Sequence, residues 1–328
     1  MEMKWKKKGR IFDPTKHVLP FGCFAYAKGP QAVAMDGFRR VYFSSCSQDS
    51  SGKYLSHVCY ADFSLDFGEL RDINRHEVIG LGELGAFDEH GIFPVHIFRA
   101  KQHELWAYTT GWSRRASVSA DGAIGLAISR DSGFTFHKVG RGPIVCASLQ
   151  EPFLIGDPFI LKARDAFHMW YIFGLRWIFA DQGQQAERVY KIAHATSIDG
   201  INWKREGLQT IKNSIGSDEC QALPSVLEVN GIYHMVFCYR DAFGFRTERG
   251  KGYRLGYAYS LDLLHWVRND SLLNLPLTGE GWDGEMMCYP HLFDLGGQTA
   301  LLYNGNHFGR DGFGLAILQS DINEHIKK

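Results

Sequence analysis

Five short segments, each with a proline near its start, decide the fold of this chain. They read GPQAVAM at 29–35, IFPVHIF at 92–98, GDPFILK at 156–162, ALPSVLE at 222–228 and CYPHLFD at 288–294. Their prolines are Pro30, Pro94, Pro158, Pro224 and Pro290. The gaps between successive prolines are 64, 64, 66 and 66 residues. Such even spacing indicates an internal repeat of about 65 residues that runs through the whole chain.

Three further segments follow most of these prolines. The second segment is rich in aromatic residues, at 41–45, 105–112, 167–174, 233–240 and 300–306. The third carries the pattern Ala-x-Ser-x-Asp, at 127–131, 195–199 and 258–262, and the fourth begins with an aromatic residue, at Phe136, Trp203 and Trp266. β-branched and aromatic runs between Gly, Asp and Asn turns predict strands, and no helical periodicity is visible. The pattern predicts an all-β fold, a five-bladed β-propeller with four-stranded antiparallel blades.

The repeat also predicts the domain organisation. We expect one domain over residues 1–328, because an irregular β-sandwich would not require evenly spaced prolines. The expected blades are approximately 20–80, 81–145, 146–212, 213–275, and 276–328 together with 1–14. The last unit lacks its fourth segment, while KWKKKG at 4–9 resembles NWKREG at 202–207. An N-terminal strand that closes the last blade would supply the missing segment and remove an exposed sheet edge.

Composition narrows the classes of function. The 36 Lys and Arg residues balance 36 Asp and Glu residues, so no net field draws the chain to nucleic acid or to an anionic membrane. Seven cysteines without CxxC spacing predict neither a disulfide framework nor a zinc site. No signal peptide or membrane span is recognisable, so we expect a cytoplasmic protein. The oligomeric state stays open.

Acidic residues lie in the loops that enter the first strand of four blades. In a propeller these loops surround the mouth of the central channel. The acids are Asp88, Glu89, Asp157, Asp218, Glu219, Asp283 and Glu285. Converging carboxylates raise one another's pKa, so one can donate a proton while another stays ionised, as glycosidic bond cleavage requires. We therefore expect a locally acidic site; acids that only cap turns or bind a cation are the alternative.

The blade repeat, Gly156-Asp157-Pro158 and Asp218-Glu219-Cys220 make the chain resemble the five-bladed propeller glycosidases. These are glycoside hydrolase family 43 and its relatives in families 32, 62, 68 and 130. The resemblance covers essentially the whole chain. It implies that Asp88 is the base or nucleophile, that Asp157 holds the substrate and tunes the acid, and that Glu219 is the general acid. Glu89 is the rival of Asp88.

Departures from the family pattern limit the resemblance, among them Gly156 where an arginine is expected and the additional acid Glu285. The first blade has no acid where the family usually places its first Asp, so the catalytic set would start one blade later. The Trp-x-Asn-Asp-Pro-Asn motif of family 32 is absent, and sucrose or fructan cleavage is therefore not supported.

Sugars need aromatic platforms and planar polar groups, which strand ends and loops of the same rim could supply. The candidate substrate-binding residues are Glu89, His96, Trp112, Arg176, Trp177, Arg240, Glu285, Asn304, Asn306 and His307. Core packing is the alternative for the tryptophans and for His96. Loops 178–190 and 241–252 are expected to wall the pocket, where Arg246, Arg249 and Lys251 could meet an acidic sugar or a phosphate. We expect no metal ligands and no cofactor, with a structural cation in the channel left open.

These features predict a carbohydrate-active enzyme, a family 43-like glycoside hydrolase that cleaves or transfers a glycosyl unit. Its expected partner is a small carbohydrate or an activated sugar, and not nucleic acid. Two alternatives stay open: a glycosyl-transfer or accessory enzyme of surface polysaccharide biosynthesis, and a non-catalytic sugar-binding propeller. The sugar, the linkage and the choice between retention and inversion are not predicted.

Overall fold

The computed structural model describes residues 2–179, 185–324 and 326. Within these ranges, the strands form five groups of four. The first three groups are β2 (Ala25–Ala34), β3 (Arg39–Gln48), β4 (Tyr54–Phe63) and β5 (Leu70–Ile73); β6 (Gly91–Lys101), β7 (Glu104–Ser113), β8 (Asp121–Ser129) and β9 (His137–Lys138); and β10 (Ile155–Ala163), β11 (Ala166–Ile178), β12 (Glu187–Ser197) and β13 (Lys204–Gln209). The other two are β14 (Cys220–Val229), β15 (Ile232–Arg240), β16 (Arg254–Ser260) and β17 (Val267–Arg268); and β18 (Cys288–Asp294), β19 (Thr299–Asn304), β20 (Phe313–Leu318) and β1 (Trp5–Phe12).

Helices are few and short in the described ranges. One α-helix, α1, covers Asp270–Leu273, and single 3₁₀ turns cover Pro14–Lys16, Pro20–Gly22 and Asn306–Gly309. None of these described helices has the length and apolar character needed to cross a membrane. The prediction of an all-β chain is confirmed.

Within each group, neighbouring strands pair in antiparallel ladders. β1 pairs with β20 from Trp5 opposite Leu318 to Phe12 opposite Phe313. The N-terminal strand therefore completes the last group, as predicted. One parallel bridge, between Ser56 and Gly91, joins the first group to the second.

The first strand of each group, which we call its inner strand, contacts the inner strands of the neighbouring groups. These contacts run in cyclic order through β2, β6, β10, β14 and β18 and back to β2. The fourth strand of each group lies at the opposite edge, and we call it the outer strand. Apolar side chains of neighbouring groups pack against each other. For example, the rings of Trp170 and Trp266 pack edge to face, with their centres 5.6 Å apart.

The Ala-x-Ser-x-Asp pattern closes the turn between the third and fourth strands. In the third group, the Ser197 hydroxyl donates to Asp199, whose carboxylate accepts the backbone N–H groups of Ile201 and Asn202. Asx and Ser turns of this kind satisfy backbone donors where the chain reverses. This part of the repeat is structural.

The repeated proline marks a β-bulge in every inner strand. A register shift spans each proline, because proline has no N–H to complete the ladder. The residue before the proline is left-handed in four strands: Gly29 (φ 60°), Asp157 (φ 52°), Leu223 (φ 41°) and Tyr289 (φ 55°). In β6 the Phe93–Pro94 peptide bond is cis. Positive φ is strained for residues other than glycine, so these positions are held by the surrounding structure.

Candidate active site

A cavity of about 540 Å³ opens between the inner strands. The residue immediately before the repeat proline lines this cavity in four groups: Phe93, Asp157, Leu223 and Tyr289. In the first group that position is Gly29, and the neighbouring Lys28 lines the cavity instead. The bulges therefore direct one side chain per group toward a common centre.

Asp157 is the acid among these five pre-proline residues. Its backbone N–H donates to the Thr110 hydroxyl at 2.7 Å, and its Oδ2 accepts the Leu223 N–H at 3.1 Å. Burial raises the pKa of Asp157 to about 7, although the Leu223 N–H and the charge of Arg188 act in the opposite direction. The carboxyl therefore titrates near neutral pH and can give or take a proton inside the cavity.

The cavity contains more cations than carboxylates. Among its described lining residues, the cations are Lys28, Arg188, Arg240 and Arg246, and the carboxylates are Asp121 and Asp157. Arg246 forms an ion pair with Glu187, and Asp121 forms one with Arg115. The expectation of an acidic funnel is corrected here, because most of the loop acids turn away from the cavity.

Arg240, a predicted substrate-binding residue, is a buried cation of this cavity and only 2% exposed. Its Nη1 donates to the backbone carbonyl of Asp241 at 2.7 Å, and its guanidinium lies 3.4 Å from the ring centre of Phe245. Its Nε has no hydrogen-bond partner among the residues that the structure describes. No carboxylate of the described residues lies within ion-pair distance of this guanidinium.

Aromatic side chains form a large part of the remaining wall. The lining includes Trp112, as predicted, and also Tyr26, Tyr54, Phe93, Tyr190, Phe245, Tyr253, Tyr289 and Phe308. The hydroxyls of Tyr190 and Tyr253 are hydrogen bonded to each other. Burial raises the pKa of Tyr190 to about 12, so its hydroxyl keeps its proton at neutral pH. Such walls match the flat faces and hydroxyl groups of sugars.

The other two predicted catalytic residues do not line the cavity. Asp88 is 1% exposed, and its Oδ2 lies 2.5 Å from the Lys138 ammonium. Glu219 forms an ion pair with Arg268 at 2.6 Å and accepts the backbone N–H of Ser214 at 2.8 Å. Burial would raise the pKa of Glu219, but hydrogen bonds from Gln221, Ser214 and Arg268 outweigh it and lower the pKa. The structure thus brings one member of the predicted triad, Asp157, to the cavity.

Asp88 and Glu219 belong to an arrangement that recurs in four groups. In each, an acid of the loop before the inner strand forms an ion pair with a base of the outer strand of the same group. These loop-to-outer-strand ion pairs are Asp88–Lys138, Glu151–Arg205, Glu219–Arg268 and Asp283–Lys7. In each case the base lies two residues after the aromatic residue that opens the fourth segment: Phe136, Trp203, Trp266 and Trp5. That spacing is the sequence signal from which these pairs could have been predicted.

His96 and Asn304 make structural contacts outside the cavity. His96 Nδ1 lies 3.1 Å from Gln31 Oε1, and burial lowers the pKa of His96 to about 3, so the ring is neutral. Asn304 accepts the Gly29 N–H and donates to the carbonyl oxygen of Ala27, which fastens β19 to β2.

The remaining predicted binding residues also lie outside the cavity lining. Asn306 accepts the backbone N–H of the exposed Glu285, Arg176 pairs with Asp218, and His307 lies against Asp311. Glu89 accepts the Gly85 N–H, and Trp177 packs against the apolar core. The described residues contain no cluster of three or more His, Cys, Asp or Glu side chains arranged to hold a metal ion.

Several lining residues were not predicted. Lys28 stands two residues before Pro30, next to the pre-proline Gly29, and that position was not singled out. Arg188 and Tyr190 alternate on β12, at the end of the segment 178–190 that was expected to wall the pocket; residues 180–184 of that segment lie outside the described residues. From the loop 241–252, Phe245 and Arg246 reach the cavity, as expected for a wall loop.

Three solved structures share the fold over nearly the whole chain. A glycoside hydrolase has a TM-score of 0.72 at 14% identity, with 96% of this chain and 92% of that chain covered. A thermostable family-43 glycoside hydrolase has a TM-score of 0.62 at 14% identity, with 90% and 88% covered. The β-1,2-mannobiose phosphorylase from Listeria innocua has a TM-score of 0.69 at 12% identity, with 99% of both chains covered. The fold is that of the propeller glycosidases and phosphorylases, which confirms the resemblance seen in the sequence.

Comparison with known sequences identifies the family of the chain. Two uncharacterized proteins of Mycobacterium tuberculosis, MT1551 of strain CDC 1551 / Oshkosh and Rv1502 of strain ATCC 25618 / H37Rv, are each 30% identical to it over 319 residues. The match covers 97% of this chain and 100% of each relative. The chain belongs to the same family as these two proteins. No family model matches it.

Proposed function

We propose that the chain is a carbohydrate-active enzyme that cleaves or transfers a glycosyl unit, with Asp157 as its proton-transferring group. The observation that carries the proposal is a buried carboxyl in a cavity of about 540 Å³ with many aromatic lining residues. Its pKa is about 7, and no described residue forms an ion pair with it. The volume lies in the range of small-molecule sites. The five groups of strands are, on this proposal, the blades of one closed five-bladed propeller.

In the proposed reaction, protonated Asp157 gives its proton to the leaving oxygen as the bond to the anomeric carbon breaks. Water, or an acceptor hydroxyl in a transfer reaction, attacks that carbon and loses a proton. Asp121, the other carboxylate of the described lining, is the candidate base. Asp121 forms an ion pair with Arg115 at the edge of the cavity.

This proposal changes the roles that the resemblance implied. Asp157 becomes the proton donor, whereas Asp88 and Glu219 hold the loops before β6 and β14 to their outer strands. Glu219 is poorly suited to be a general acid, because its hydrogen bonds and ion pair favour the ionised form. The reaction uses side chains and water, and it requires no cofactor.

An activity screen with two matched acid-to-amide variants tests the proposal. The substrates are 4-nitrophenyl glycosides and short oligosaccharides, each with and without inorganic phosphate. For a substrate that is turned over, we expect Asp157→Asn to lower kcat/KM by roughly 10³-fold, as loss of a general acid does. Folded Glu219→Gln should stay within about threefold of wild type.

Full activity of Asp157→Asn would refute the proposed role, and so would an equal loss in folded Glu219→Gln. The pH profile gives a second check, since activity that needs protonated Asp157 must fall above pH 7 or so. A sugar-binding propeller without catalysis would bind ligands and turn over no substrate in the panel.

A further inference from the structure

We propose that Arg188 and Arg240 form a site for an oxyanion, a phosphate or carboxylate group, so that the natural substrate is an anionic sugar. This inference deepens the proposed function and rests on it for the identity of the cavity as the substrate site.

The first observation is the isolation of the Arg240 charge. A guanidinium that is almost completely removed from water loses hydration, and only a counter-charge or a full set of hydrogen bonds compensates that loss. Two backbone carbonyls, a hydrogen bond with Tyr253 and the rings of Phe245, Tyr190 and Tyr253 surround Arg240. These groups are all neutral, and among the described residues its Nε has no hydrogen-bond partner. Since Arg240 lines the cavity, a bound anion is the group that would complete its environment.

The second observation is Arg188, which lines the same cavity from β12. Within the described ranges, the guanidinium makes one hydrogen bond, a long one from Nη1 to the Ser119 hydroxyl at 3.3 Å. No carboxylate in the described part of the chain forms an ion pair with it. The charge of Arg188 lowers the pKa of Asp157, so this guanidinium lies close to the proposed proton donor.

The cavity as a whole favours an anion. Lys28 adds a third cation without a carboxylate partner among the described residues, and its ammonium lies 4.6 Å from the Phe93 ring centre. Asp157 offsets little of this charge while it is protonated. Guanidinium groups match the geometry of phosphate and carboxylate oxygens, and the Tyr190 and Tyr253 hydroxyls supply neutral donors nearby. A neutral sugar would leave Arg240 without a counter-charge.

Binding measurements on the full chain test the inference without any need for turnover. The probes are inorganic phosphate, glucose 1-phosphate, glucuronate and glucose, at ionic strength matched with NaCl. At about 100 times its Kd, a true ligand should raise the Tm by on the order of 4 °C. We expect such a shift with a phosphate probe, with glucuronate, or with both, and a smaller one with glucose.

Three variants locate the site. Arg240→Met keeps the apolar contact with Phe245, should fold at least as stably as wild type, and should lose the anion-dependent shift. Arg188→Gln, at a half-buried position, should weaken anion binding roughly 10- to 100-fold in calorimetry. Arg176→Gln is the matched control, because Arg176 is paired with Asp218 outside the cavity. This variant should bind the anionic probes as tightly as wild type does.

The inference is overturned if no anionic probe stabilises the protein beyond NaCl, or if Arg188→Gln and Arg240→Met bind anions like wild type. Shifts with the phosphate probes alone identify a phosphate, and shifts with glucuronate alone identify a carboxylate. Asp157→Asn separates this inference from the proposed function, since the variant should still bind the anion. If the protein binds the anion but Asp157→Asn stays active, only the proposed function is rejected. If Asp157→Asn is inactive but neither it nor wild type binds an anion, only the oxyanion site is rejected.

Discussion

Asp157 and Glu219 both precede a repeat proline and are both nearly inaccessible to solvent, at 8% and 2% exposure, yet their environments are opposite. Asp157 stands directly before Pro158, in a bulge that turns it into the cavity. Glu219 stands five residues before Pro224, in a loop that turns it toward Arg268 on the outer strand. The pKa of Asp157 is raised to about 7, while that of Glu219 is lowered.

The comparison shows that burial alone does not make a carboxyl an acid catalyst. Both carboxyls lose hydration, but only Glu219 receives an ion pair and several hydrogen bonds in exchange. The position within the repeat decides which environment an acid meets. The bulge directs Asp157 into the cavity, and the loop directs Glu219 to the outer strand.

The largest stability effect is expected from Asp157→Asn as the pH rises. The pKa of Asp157 is about 7 in the folded chain against an ordinary 3.8, so the folded state holds this proton where the unfolded state has lost it. Wild-type stability therefore falls between about pH 4 and pH 7 by up to about 4 kcal/mol from this group. Asp157→Asn has no carboxyl to lose this proton. Its free energy of unfolding in urea should therefore rise relative to that of wild type over the same pH range. Glu285→Gln removes an exposed acid and is the control; its stability relative to wild type should not change over this pH range. If the relative stability of Asp157→Asn does not change either, the contrast between the two carboxyls is wrong.

The opposite sign is expected for Glu219→Gln. Because the pKa of Glu219 is lowered from 4.5, its ionised form stabilises the fold above that pH, and the stabilisation disappears as the pH falls. At neutral pH the variant should lose about 3 kcal/mol, since one partner of a buried ion pair is removed. Urea unfolding of wild type and variant at pH 7 and at pH 4 measures the loss of stability at neutral pH and its decrease in acid. A variant as stable as wild type at pH 7 would show that the ion pair does not hold the loop.

A smaller effect is expected at the last loop-to-outer-strand ion pair. Lys7 and Asp283 are 2.8 Å apart, but the lysine side chain is 24% exposed, and Tyr303 also donates to the carboxylate. Lys7→Met should therefore cost about 1 kcal/mol. A loss as large as that of Glu219→Gln would contradict the order of burial among these pairs.

The fold was predictable because its signal is repeated. Five prolines at constant spacing, with aromatic segments at fixed distances, predicted the strand groups and the pairing of β1 with β20. Each proline also marks a bulge, and that follows from the missing N–H. The left-handed conformation before the proline was not predicted, since nothing in Leu223 or Tyr289 as residues favours it.

The candidate site was predictable in part. Asp157, Trp112 and Arg240 were named from sequence and line the cavity. Asp88 and Glu219 were named because loop acids were assumed to face the channel. They pair instead with Lys138 and Arg268 on the outer strands. Arg188 lies within the predicted wall segment 178–190 but was not singled out there. Tyr253 could not be found from one chain, because its approach to the cavity depends on how the loop before β16 packs.

Site-resolved titration of Asp157 and Glu219 tests the central claim most directly. Carboxyl ¹³C chemical shifts, assigned by comparison with Asp157→Asn and Glu219→Gln, follow both groups in the folded chain. The account predicts that Asp157 titrates near pH 7 and that Glu219 titrates below 4.5. A Glu219 carboxyl that titrates near neutral pH, beside an Asp157 that titrates near 4, would contradict it.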